Sequence, residues 1–455
     1  MRRFKRAALA SALFLAATAQ FSVASALTLD LSKSYQLALQ NDKQLKAAKA
    51  RMDAGREATP QAIAQVLPNI SLSGSYGQTS QVRSLEGYTT PTQSYGSSQY
   101  TLALRQPLFR PYQVSQIGQA AARVMAAGAQ YDTNFQDLGL RVVGTYFEAL
   151  FAHDSLELIV NQRRTYETQL RAAKLAFAAG TGTRTDIDDI QARIDMLIAD
   201  EIAARQSIDA SKLHLENFVG EKIDRLISLD PRAFNAEARD PGLLQTWVDR
   251  AAANSPNLKM LKANWDAAKS GIEMAQAGHM PTFDFIAQSA YNRGDSNNTF
   301  PATENSTGYV GVQMTLPIFS GGGVNLQVRQ SIAMADEARE SYEYAKQDLR
   351  LKVQQQFDAV NAGISRVRAL ERALLSADQN VTSNIKGVQA GTRTTLDVLT
   401  VEQQRLQTQV DLAKARYQTL VAYATLVSYT GDLDTEQVDL LNRVLGKGDA
   451  IALRQ

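Results

Sequence analysis

The sequence predicts an α+β protein in which one layout, a pair of strands followed by a long and a shorter helix, is written twice. Three observations predict it. Four short segments alternate apolar and polar residues, as strands do. Two long segments without proline are rich in residues that favour helices. Matching phrases recur about 210 residues apart and in the same order, which indicates an internal duplication.

Residues 1–26 have the pattern of a secretory signal peptide. Basic residues within 2–6 precede an apolar stretch over 7–19, and residues 24–26 read ASA, a small-x-small cleavage pattern. An N-terminal membrane anchor is the alternative, but the apolar stretch is too short to span a bilayer. Without this peptide the chain is nearly neutral, and that balance argues against a nucleic-acid partner.

Composition narrows the classes of function. The chain has no cysteine, so an exported protein of this sequence has to fold without disulfides. Its histidines, His153, His214 and His279, have no metal-ligand spacing, and neither a nucleophile motif nor a phosphate-binding loop occurs. We therefore expect no metal, no cofactor and no enzymatic activity. No later segment approaches about 18 consecutive apolar residues, so only strands remain to cross a membrane.

The duplication divides the chain into repeats over residues 27–240 and 241–455. The matching phrases are NDKQLKAAKARMDAG (41–55) with NSPNLKMLKANWDAA (254–268), VLPNISLSGSY (66–76) with HMPTFDFIAQS (279–289), and YTLALRQPLF (100–109) with VGVQMTLPIF (310–319). Chance similarity would not preserve this order, so each element of one repeat predicts its counterpart in the other.

Each repeat contributes two predicted strands. They cover about residues 69–85 and 97–110 in the first repeat, and about 282–292 and 308–320 in the second. The alternating residues are Tyr100, Leu102 and Leu104 against Thr101, Ala103 and Arg105, and Val310, Val312 and Met314 against Gly311, Gln313 and Thr315. One face of these strands is therefore apolar. The segments 86–97 and 293–307 between paired strands are polar loops.

A long helix follows each strand pair, over the predicted spans 112–179 and 324–390. At about 1.5 Å per residue, each would be about 100 Å long. The phrases AGTGTRTDID (179–188) and AGTRTTLDVL (390–399) then interrupt the helical composition, because glycine and threonine are poor helix formers. They predict that the chain reverses in helix-hairpin tips, at 180–183 and 391–394.

Shorter helices return from the tips, over about residues 184–217 and 395–428. The threonines expected to cap them are Thr181, Thr183, Thr185, Thr392 and Thr394. The helical segments 33–66 and 245–278, which precede the strand pairs, are predicted to stack end to end with the return helices and so to match a long helix in length. The remaining segments, 218–244 and 429–455, then lie midway along the rod that the long helices form. We call this middle region the equator of the rod, and these two segments the equatorial segments.

Four strands with apolar outer faces cannot form a stable membrane structure alone. An open sheet in lipid leaves edge amides and carbonyls unpaired, so closure needs further copies of the chain. Two copies would give about eight strands and an interior filled with side chains, whereas three would give about twelve and a wider lumen. Long helices ringed around the same axis would extend that lumen into a tunnel.

With these features together, the chain resembles the TolC family of outer-membrane efflux and type I secretion channels. The duplicated layout, the counterparts Pro107–Phe109 and Pro317–Phe319, and above all AGTRTTLDVL carry the resemblance. It implies a homotrimer with a barrel of about twelve strands in the outer membrane and a helical tunnel through the periplasm. The chain would then be an exit duct for tripartite drug efflux, type I protein secretion or both.

The resemblance also implies partners. These are outer-membrane lipid, a periplasmic adaptor protein, and an inner-membrane transporter of the resistance-nodulation-division, ABC or major facilitator type. Docking of the adaptor and the transporter would open the periplasmic tip. The tip residues assigned to the adaptor contact by the resemblance are Ala179, Gly180, Thr181, Ala390, Gly391 and Thr392.

A gate at the tips is a further implication of the resemblance. Arg393 matches a family arginine that latches the closed entrance, and Thr185 and Asp186 match its acceptors. Asp397 matches an acidic residue that faces the tunnel axis, where a trimer would form a constricting ring of three carboxylates. A second acidic position of the family falls on Thr400, and a tyrosine of its latch falls on Val388.

Two alternatives stay open at this point. Arg393 and Asp397 have the spacing of an exposed i, i+4 pair on a helix surface, without any role in a gate. The alternative function is a structural coiled-coil protein that spans the periplasm without channel activity. Such a protein explains the helices, but it does not explain the four amphipathic strands.

Overall fold

The computed structural model describes residues 28–82, 84–85, 87–89, 92–230, 241–295, 301–445 and 449–452. The predicted signal peptide lies outside the described residues, and so do parts of both predicted loops and of both equatorial segments. The described elements are β1 (Thr28–Leu29), α1 (Leu31–Asn41), α2 (Lys43–Arg56), α3 (Ala58–Ala64), β2 (Asn69–Gln81), β3 (Ser84–Leu85), β4 (Tyr88–Thr89), β5 (Gln93–Phe109), α4 (Pro111–Ala178), α5 (Arg184–Val219), β6 (Arg225–Ile227), α6 (Leu244–Asn254), α7 (Pro256–Gln276), β7 (Thr282–Gly294), β8 (Thr303–Thr315), α8 (Gly323–Gln389), α9 (Thr395–Tyr429), α10 (Thr435–Leu445) and β9 (Ala450–Ala452).

The two long helices fall where the proline-free segments predict them. Helix α4 has 68 residues and α8 has 67. Pro111 opens α4, a position that suits proline because the first amides of a helix have no partner within it. At about 1.5 Å per residue both helices are about 100 Å long. None of the described helices is long and apolar enough to cross a membrane.

The segments predicted to be helical over 33–66 and 245–278 are helical, but each is divided into shorter helices. Asp42 leaves the helical conformation, and its carboxylate accepts a hydrogen bond of 2.6 Å from the Leu45 amide, which starts α2. Ser255 has a ψ of 120° because the following Pro256 disfavours the helical conformation at the residue before it.

A four-stranded antiparallel sheet holds the long strands in the order β2-β5-β7-β8. The central pair, β5 with β7, joins the first repeat to the second. Strand β5 begins before the predicted residue 97, and β8 ends before the predicted residue 320. Thr315 pairs with Thr282, the first residue of β7, so the residues that follow Thr315 find no neighbouring strand within the described chain.

The register places the apolar side chains of all four strands on one face. Leu72 pairs with Leu102, and Phe285 pairs with Val312. Directly paired residues project to the same side of a sheet, and every second residue along a strand returns to it. Leu102 and Val312 are 51% and 59% exposed in the single chain. The sheet therefore offers a broad apolar face that this chain does not cover.

The main core lies at the equator of the rod. Short strands from distant parts of the chain form a second sheet in the order β1-β6-β9, which the sequence pattern did not predict. The Tyr146 hydroxyl, on α4, donates a hydrogen bond of 2.9 Å to the carbonyl of Ile227, on β6. Large side chains fully buried around it include Tyr35, Leu138, Phe147, Leu150, Leu215 and Leu226. This core fixes the equatorial segments against the long helices.

Candidate functional site

The two helix tips are built alike. Ala179 caps α4 and Ala390 caps α8, and each alanine is followed by a glycine in the left-handed conformation. The φ angles are 75° at Gly180 and 74° at Gly391. A side chain would be strained at such an angle, so both glycines serve the reversal of the chain.

One threonine in each tip closes the end of the long helix. The Thr181 amide and hydroxyl donate to the carbonyl of Ala176, at 2.9 and 3.1 Å. In the second tip, the Thr392 amide and hydroxyl donate to the carbonyl of Gly387, at 2.9 and 3.2 Å. The expectation that Thr181, Thr185 and Thr392 cap the returning helices is therefore wrong. The hydroxyls of Thr181 and Thr392 satisfy carbonyls of the long helices instead, and Thr185 lies within α5, which begins at Arg184.

The returning helices begin with matching capping boxes. The Thr183 hydroxyl accepts from the Asp186 amide, and the Asp186 carboxylate accepts from the Thr183 amide at 3.2 Å and hydroxyl at 2.6 Å. Thr394 and Asp397 repeat the arrangement, with 2.9 Å for both contacts to the carboxylate. Asp186 and Asp397 thus occupy the same structural position in the two repeats, in the first turn of α5 and of α9.

These hydrogen bonds favour the ionised form of both carboxylates. The Thr183 hydroxyl lowers the pKa of Asp186 below its ordinary value, and the Thr183 amide and the Thr395 hydroxyl of the other tip act in the same direction. The Thr394 amide lowers the pKa of Asp397, with help from the Thr394 hydroxyl and from the charge of Arg393. Negative charge at this position also suits the positive end of the helix dipole.

Arg393 makes no ion pair within the described part of the chain, either with Asp186 or with Asp397. Its amide donates to the Gly387 carbonyl at 3.2 Å, and its side chain runs past Gly387. In the first tip the pair Arg184 and Asp188 does form, with 3.1 Å between them. The structure therefore brings Arg393 near the tip surface but not onto the acceptors Thr185 and Asp186 of its own chain.

A buried carboxylate lies close behind the tips and was missed by the reading of the sequence. Glu402 on α9 is 6% exposed and contacts Gln162 and Gln169 on α4. The signal was present in the sequence, because Leu399, Glu402 and Leu406 follow one another at helical spacing along a single stripe. A glutamate within an apolar stripe marks a buried polar contact.

A second charged cluster joins the sheet to the helices. Asp284 on β7 is 3% exposed and accepts hydrogen bonds from Arg105 on β5, at 2.6 Å, and from Arg110 at the start of α4, at 2.6 and 2.8 Å. The three residues belong to the face of the sheet opposite to its apolar face, or to the turn beside it. They fix the direction in which α4 leaves β5. The described residues contain no group of acidic or histidine side chains able to hold a metal ion.

An antiparallel sheet with one uncovered apolar face, continued by two helix hairpins about 100 Å long, is the architecture of an outer-membrane channel protein. The chain belongs to the outer membrane efflux protein family, because that family matches residues 34–221 and 247–432, one stretch in each repeat. It is therefore an outer-membrane protein with a large periplasmic helical part. The predicted fold class, family resemblance and location are confirmed.

Known relatives agree with this assignment. The chain is 31% identical to the alkaline protease secretion protein AprF of Pseudomonas aeruginosa over 435 residues, which cover 94% of this chain and 90% of AprF. It is 28% identical to the outer membrane protein TolC of Escherichia coli over 430 residues, which cover 92% of this chain and 85% of TolC. A crystal structure of CusC superposes with a TM-score of 0.76 at 16% identity, over 88% of this chain and 92% of that one, and so shows the shared fold.

Proposed function

We propose that three copies of the chain close into an outer-membrane channel-tunnel that serves as an exit duct. The single observation that carries the proposal is the open sheet. Strands β2 and β8 are its edges, and within the described chain neither edge has a second neighbour. Unpaired amides and carbonyls in lipid cost several kcal/mol each, so every β8 needs a β2 from another copy. Three copies of four strands give a barrel of about twelve strands with an open lumen.

The internal repeat supplies the register of that contact between copies. Within the chain, Ala103 on β5 pairs with Gln288 on β7. The repeat counterpart of Ala103 is Gln313 on β8, and that of Gln288 is Ser75 on β2. If the contact between copies repeats the contact within the chain, Gln313 pairs with Ser75 of the next copy. The residues after Thr315 then also gain a neighbouring strand, which accounts for the predicted strand reaching beyond the observed end of β8.

At the tips, the proposal assigns a gate and a docking surface. Arg393 has no carboxylate partner within the described part of its own chain. It would bind Thr185 and Asp186 of a neighbouring copy, and this contact would latch the entrance. Asp397 would face the tunnel axis, where three copies form a ring of carboxylates. A periplasmic adaptor protein would contact Ala179 to Thr181 and Ala390 to Thr392, and together with an inner-membrane transporter of the resistance-nodulation-division, ABC or major facilitator type it would open the entrance.

The names of the relatives indicate the cargo more clearly than the residues of this chain do. AprF is named for alkaline protease secretion, and its similarity to this chain supports type I protein secretion. Efflux is supported by the description of the matched family as outer membrane efflux proteins. We propose that the duct serves tripartite drug efflux, type I protein secretion or both, since a passive conduit places few chemical demands on what passes through it.

Disulfide cross-linking tests the assembly directly. The chain has no native cysteine, so the double variant Gln313→Cys with Ser75→Cys offers one thiol pair at each proposed contact. Oxidation should give covalent trimers on a denaturing gel. The control, Gln313→Cys with Ser71→Cys, places the thiols four residues out of register, or about 13 Å along the strand, and should give little product. Purified trimers should then conduct ions in planar bilayers.

Each result decides between the alternatives. Covalent trimers that conduct ions support the channel. Trimers that never conduct, even with the entrance mutated as described below, would favour a structural envelope protein. Covalent dimers without trimers would indicate a barrel closed by two copies, and equal cross-linking in the control would show that the register is wrong.

A further inference from the structure

Glu402 lies where the two helix hairpins of the chain meet. It projects from α9, in the second hairpin, towards α4, in the first. The Gln169 amide nitrogen donates to both oxygens of its carboxylate, at 3.0 Å each, and the Gln162 amide nitrogen donates at 3.4 Å. An apolar cluster adjoins this contact and consists of Tyr166, Ile190, Ile194, Leu197 and Leu399. A carboxylate that has no cationic partner among the described residues thus lies in the contact that must open if the hairpins separate.

Two buried atoms beside Glu402 have no hydrogen-bond partner within the described part of the chain. One is Oε1 of Gln169 on α4, which can only accept, and the other is Nε of Arg405 on α9, which can only donate. Protonated Glu402 carries a hydroxyl that can donate to the Gln169 oxygen. Ionised Glu402 carries only acceptors, and these suit the Arg405 nitrogen one turn away on its own helix. The two protonation states therefore favour partners on different helices.

We infer that Glu402 is a protonation-dependent contact between the hairpins, closed onto α4 when neutral and drawn back towards Arg405 when ionised. This inference rests on the proposed channel function for its consequence, because Glu402 follows Asp397 by five residues and its release would loosen the entrance. The site lies close to the gate but shares no residue with the proposed latch.

The charged and titratable groups around Glu402 come from all four hairpin helices. On α9, Arg405 is also paired with Asp378 of α8 at 3.6 Å. On α4, the Tyr166 hydroxyl donates to the Leu399 carbonyl at 3.2 Å. Further neighbours along α4 and α5 are Arg163, which is paired with Glu167 and Glu201, and Arg193, whose charge acts on Tyr166. No lysine or arginine lies within ion-pair distance of the Glu402 carboxylate in the described residues.

The direction of the pH effect follows from burial. Burial raises the pKa of Glu402 above its ordinary value of 4.5, and the bonds from Gln169 and Gln162 and the charge of Arg405 oppose this only in part. The closed contact therefore binds its proton more tightly than an open, hydrated one. The contribution of Glu402 to the stability of the closed contact is fully present below the ordinary glutamate pKa. It is lost as the pH rises through the raised pKa of the closed state.

The repeat provides a matched position without this chemistry. The counterpart of Glu402 in the first repeat is Gln191 on α5, which is exposed and donates only to Asp195 of its own helix. A carboxylate introduced there would stay hydrated. Gln191→Glu is therefore a control in which a glutamate is added at the same distance from a tip without entering the seam between hairpins.

Spin-label distances between α4 and α9 test the inference without relying on channel conductance. Cysteines introduced at the exposed positions Thr168 and Gln404 would be the two labelled sites of the chain, because its sequence has no other cysteine. Labelled subunits diluted with unlabelled ones in the purified assembly report one distance per molecule. As the pH rises from about 4.5 to about 8, we expect the population with a longer distance between the labels to grow. The ratio of open to closed contacts should change by about tenfold for each tenfold difference in proton affinity between the two states.

Three variants make the test decisive. Glu402→Gln keeps a neutral side chain of the same shape and should hold the short distance at every pH, whereas Gln191→Glu should respond like the parent. Arg405→Gln, which keeps Glu402 but removes its cationic neighbour, should move the transition to higher pH. A transition that persists in Glu402→Gln, or that Arg405→Gln moves to lower pH, would overturn the inference. If the distance between the labels changes with pH but the conductance does not, the protonation-dependent contact is supported and the proposed gate at the entrance is contradicted.

Discussion

Gly387 faces Arg393 across the second tip so closely that a Cβ on Gly387 would lie 2.6 Å from Cγ of Arg393. The first tip shows the same approach with the residues exchanged. There Gly182 takes the position of Arg393, and a Cβ added to it would lie 3.1 Å from Cβ of Ala176, the counterpart of Gly387. In each tip one of the two facing positions is glycine, and in the second tip this arrangement leaves room for an arginine.

Gly387→Ala should therefore distort the second tip. The added methyl group must displace Arg393, which we expect to cost about 1–3 kcal/mol, as overpacking does elsewhere. Hydrogen exchange at the Thr392 and Arg393 amides, which both donate to the Gly387 carbonyl, should become faster. The double variant Gly387→Ala with Arg393→Gly recreates the first tip and should restore slow exchange.

Gly128→Ala on α4 is the matched control, because no atom of the described residues lies within 4 Å of the added Cβ apart from the nearby backbone of its own helix. Replacing a glycine inside a helix by alanine favours the helix by about 0.5–1 kcal/mol where there is room. If Gly387→Ala proves as harmless as Gly128→Ala, the close approach to Arg393 does not constrain the tip.

Asp397 and Asp186 permit a separation of charge from capping. Asp397→Asn keeps an oxygen that can accept from Thr394 and removes the charge, so helix α9 should still start correctly while the cation preference of the channel weakens. Reversal potentials across a salt gradient in planar bilayers measure this preference. Asp186→Asn makes the same change at the equivalent position of the other repeat. Because Asp186 belongs to the proposed latch and not to the ring, this variant should raise conductance and weaken the cation preference less than Asp397→Asn does.

The pH dependence of this preference has a defined sign. The Thr394 amide and hydroxyl lower the pKa of Asp397, so its charge should persist down to the ordinary aspartate value of 3.8 and be lost only below it. Cation preference should thus be constant from neutral pH to about pH 4 and then decline. A decline that begins well above this range would show either that a different group sets the selectivity, or that repulsion between the three carboxylates of the ring raises the pKa of Asp397.

The sequence predicts the large elements well because each has a strong local signal. Proline-free spans and apolar spacing predict α4 and α8, and alternation predicts the four long strands. The capping boxes were readable too, since Thr183 with Asp186 and Thr394 with Asp397 each have the T-x-x-D spacing. Such local signals cannot predict contacts between segments that are far apart in the sequence, such as the pairing of β1, β6 and β9.

The misses have physical reasons. Strands β1, β6 and β9 have two or three residues each, too few for any periodicity to appear. Pro256 accounts for the break after α6, because proline disfavours the helical conformation at the residue before it. The close approach of Gly387 to Arg393 and the orphaned oxygen of Gln169 depend on how neighbouring segments pack, which no spacing along one chain reveals.

The proposed latch makes Arg393→Ser an informative variant. A hydrogen bond to a charged group contributes about 1.5–3 kcal/mol where water is excluded. Arg393 is exposed in the single chain, so its bond should contribute no more than the lower end of this range. Loss of about 1.4 kcal/mol shifts the closed-to-open ratio about tenfold. Conductance of purified trimers in planar bilayers should rise accordingly, with assembly unchanged.

Arg184→Ser removes an arginine of the first tip that is already paired with Asp188 of its own helix. It should leave conductance at the parent level. Equal conductance in the parent, Arg184→Ser and Arg393→Ser would reduce Arg393 to exposed helix surface. A rise with both variants would point to a general loosening of the tips by loss of positive charge.

The two faces of the sheet should respond differently to an added charge. Leu102 and Val312 belong to the uncovered apolar face, whereas their neighbours Thr101 and Gln313 project to the opposite side. Arginine near the middle of a lipid-facing strand costs about 2–4 kcal/mol, and arginine facing a watery lumen costs little.

We therefore expect Leu102→Arg and Val312→Arg to reduce the yield of assembled trimer in outer membranes, and Thr101→Arg and Gln313→Arg to assemble normally. Unheated gel electrophoresis of isolated outer membranes measures the yield, and each substitution has its control one residue away on the same strand. Greater loss with Thr101→Arg and Gln313→Arg would mean that the apolar face lines the interior, so the barrel would close in the opposite sense. Equal loss in both pairs would mean that neither face meets lipid, and the sheet would then have to be covered by protein.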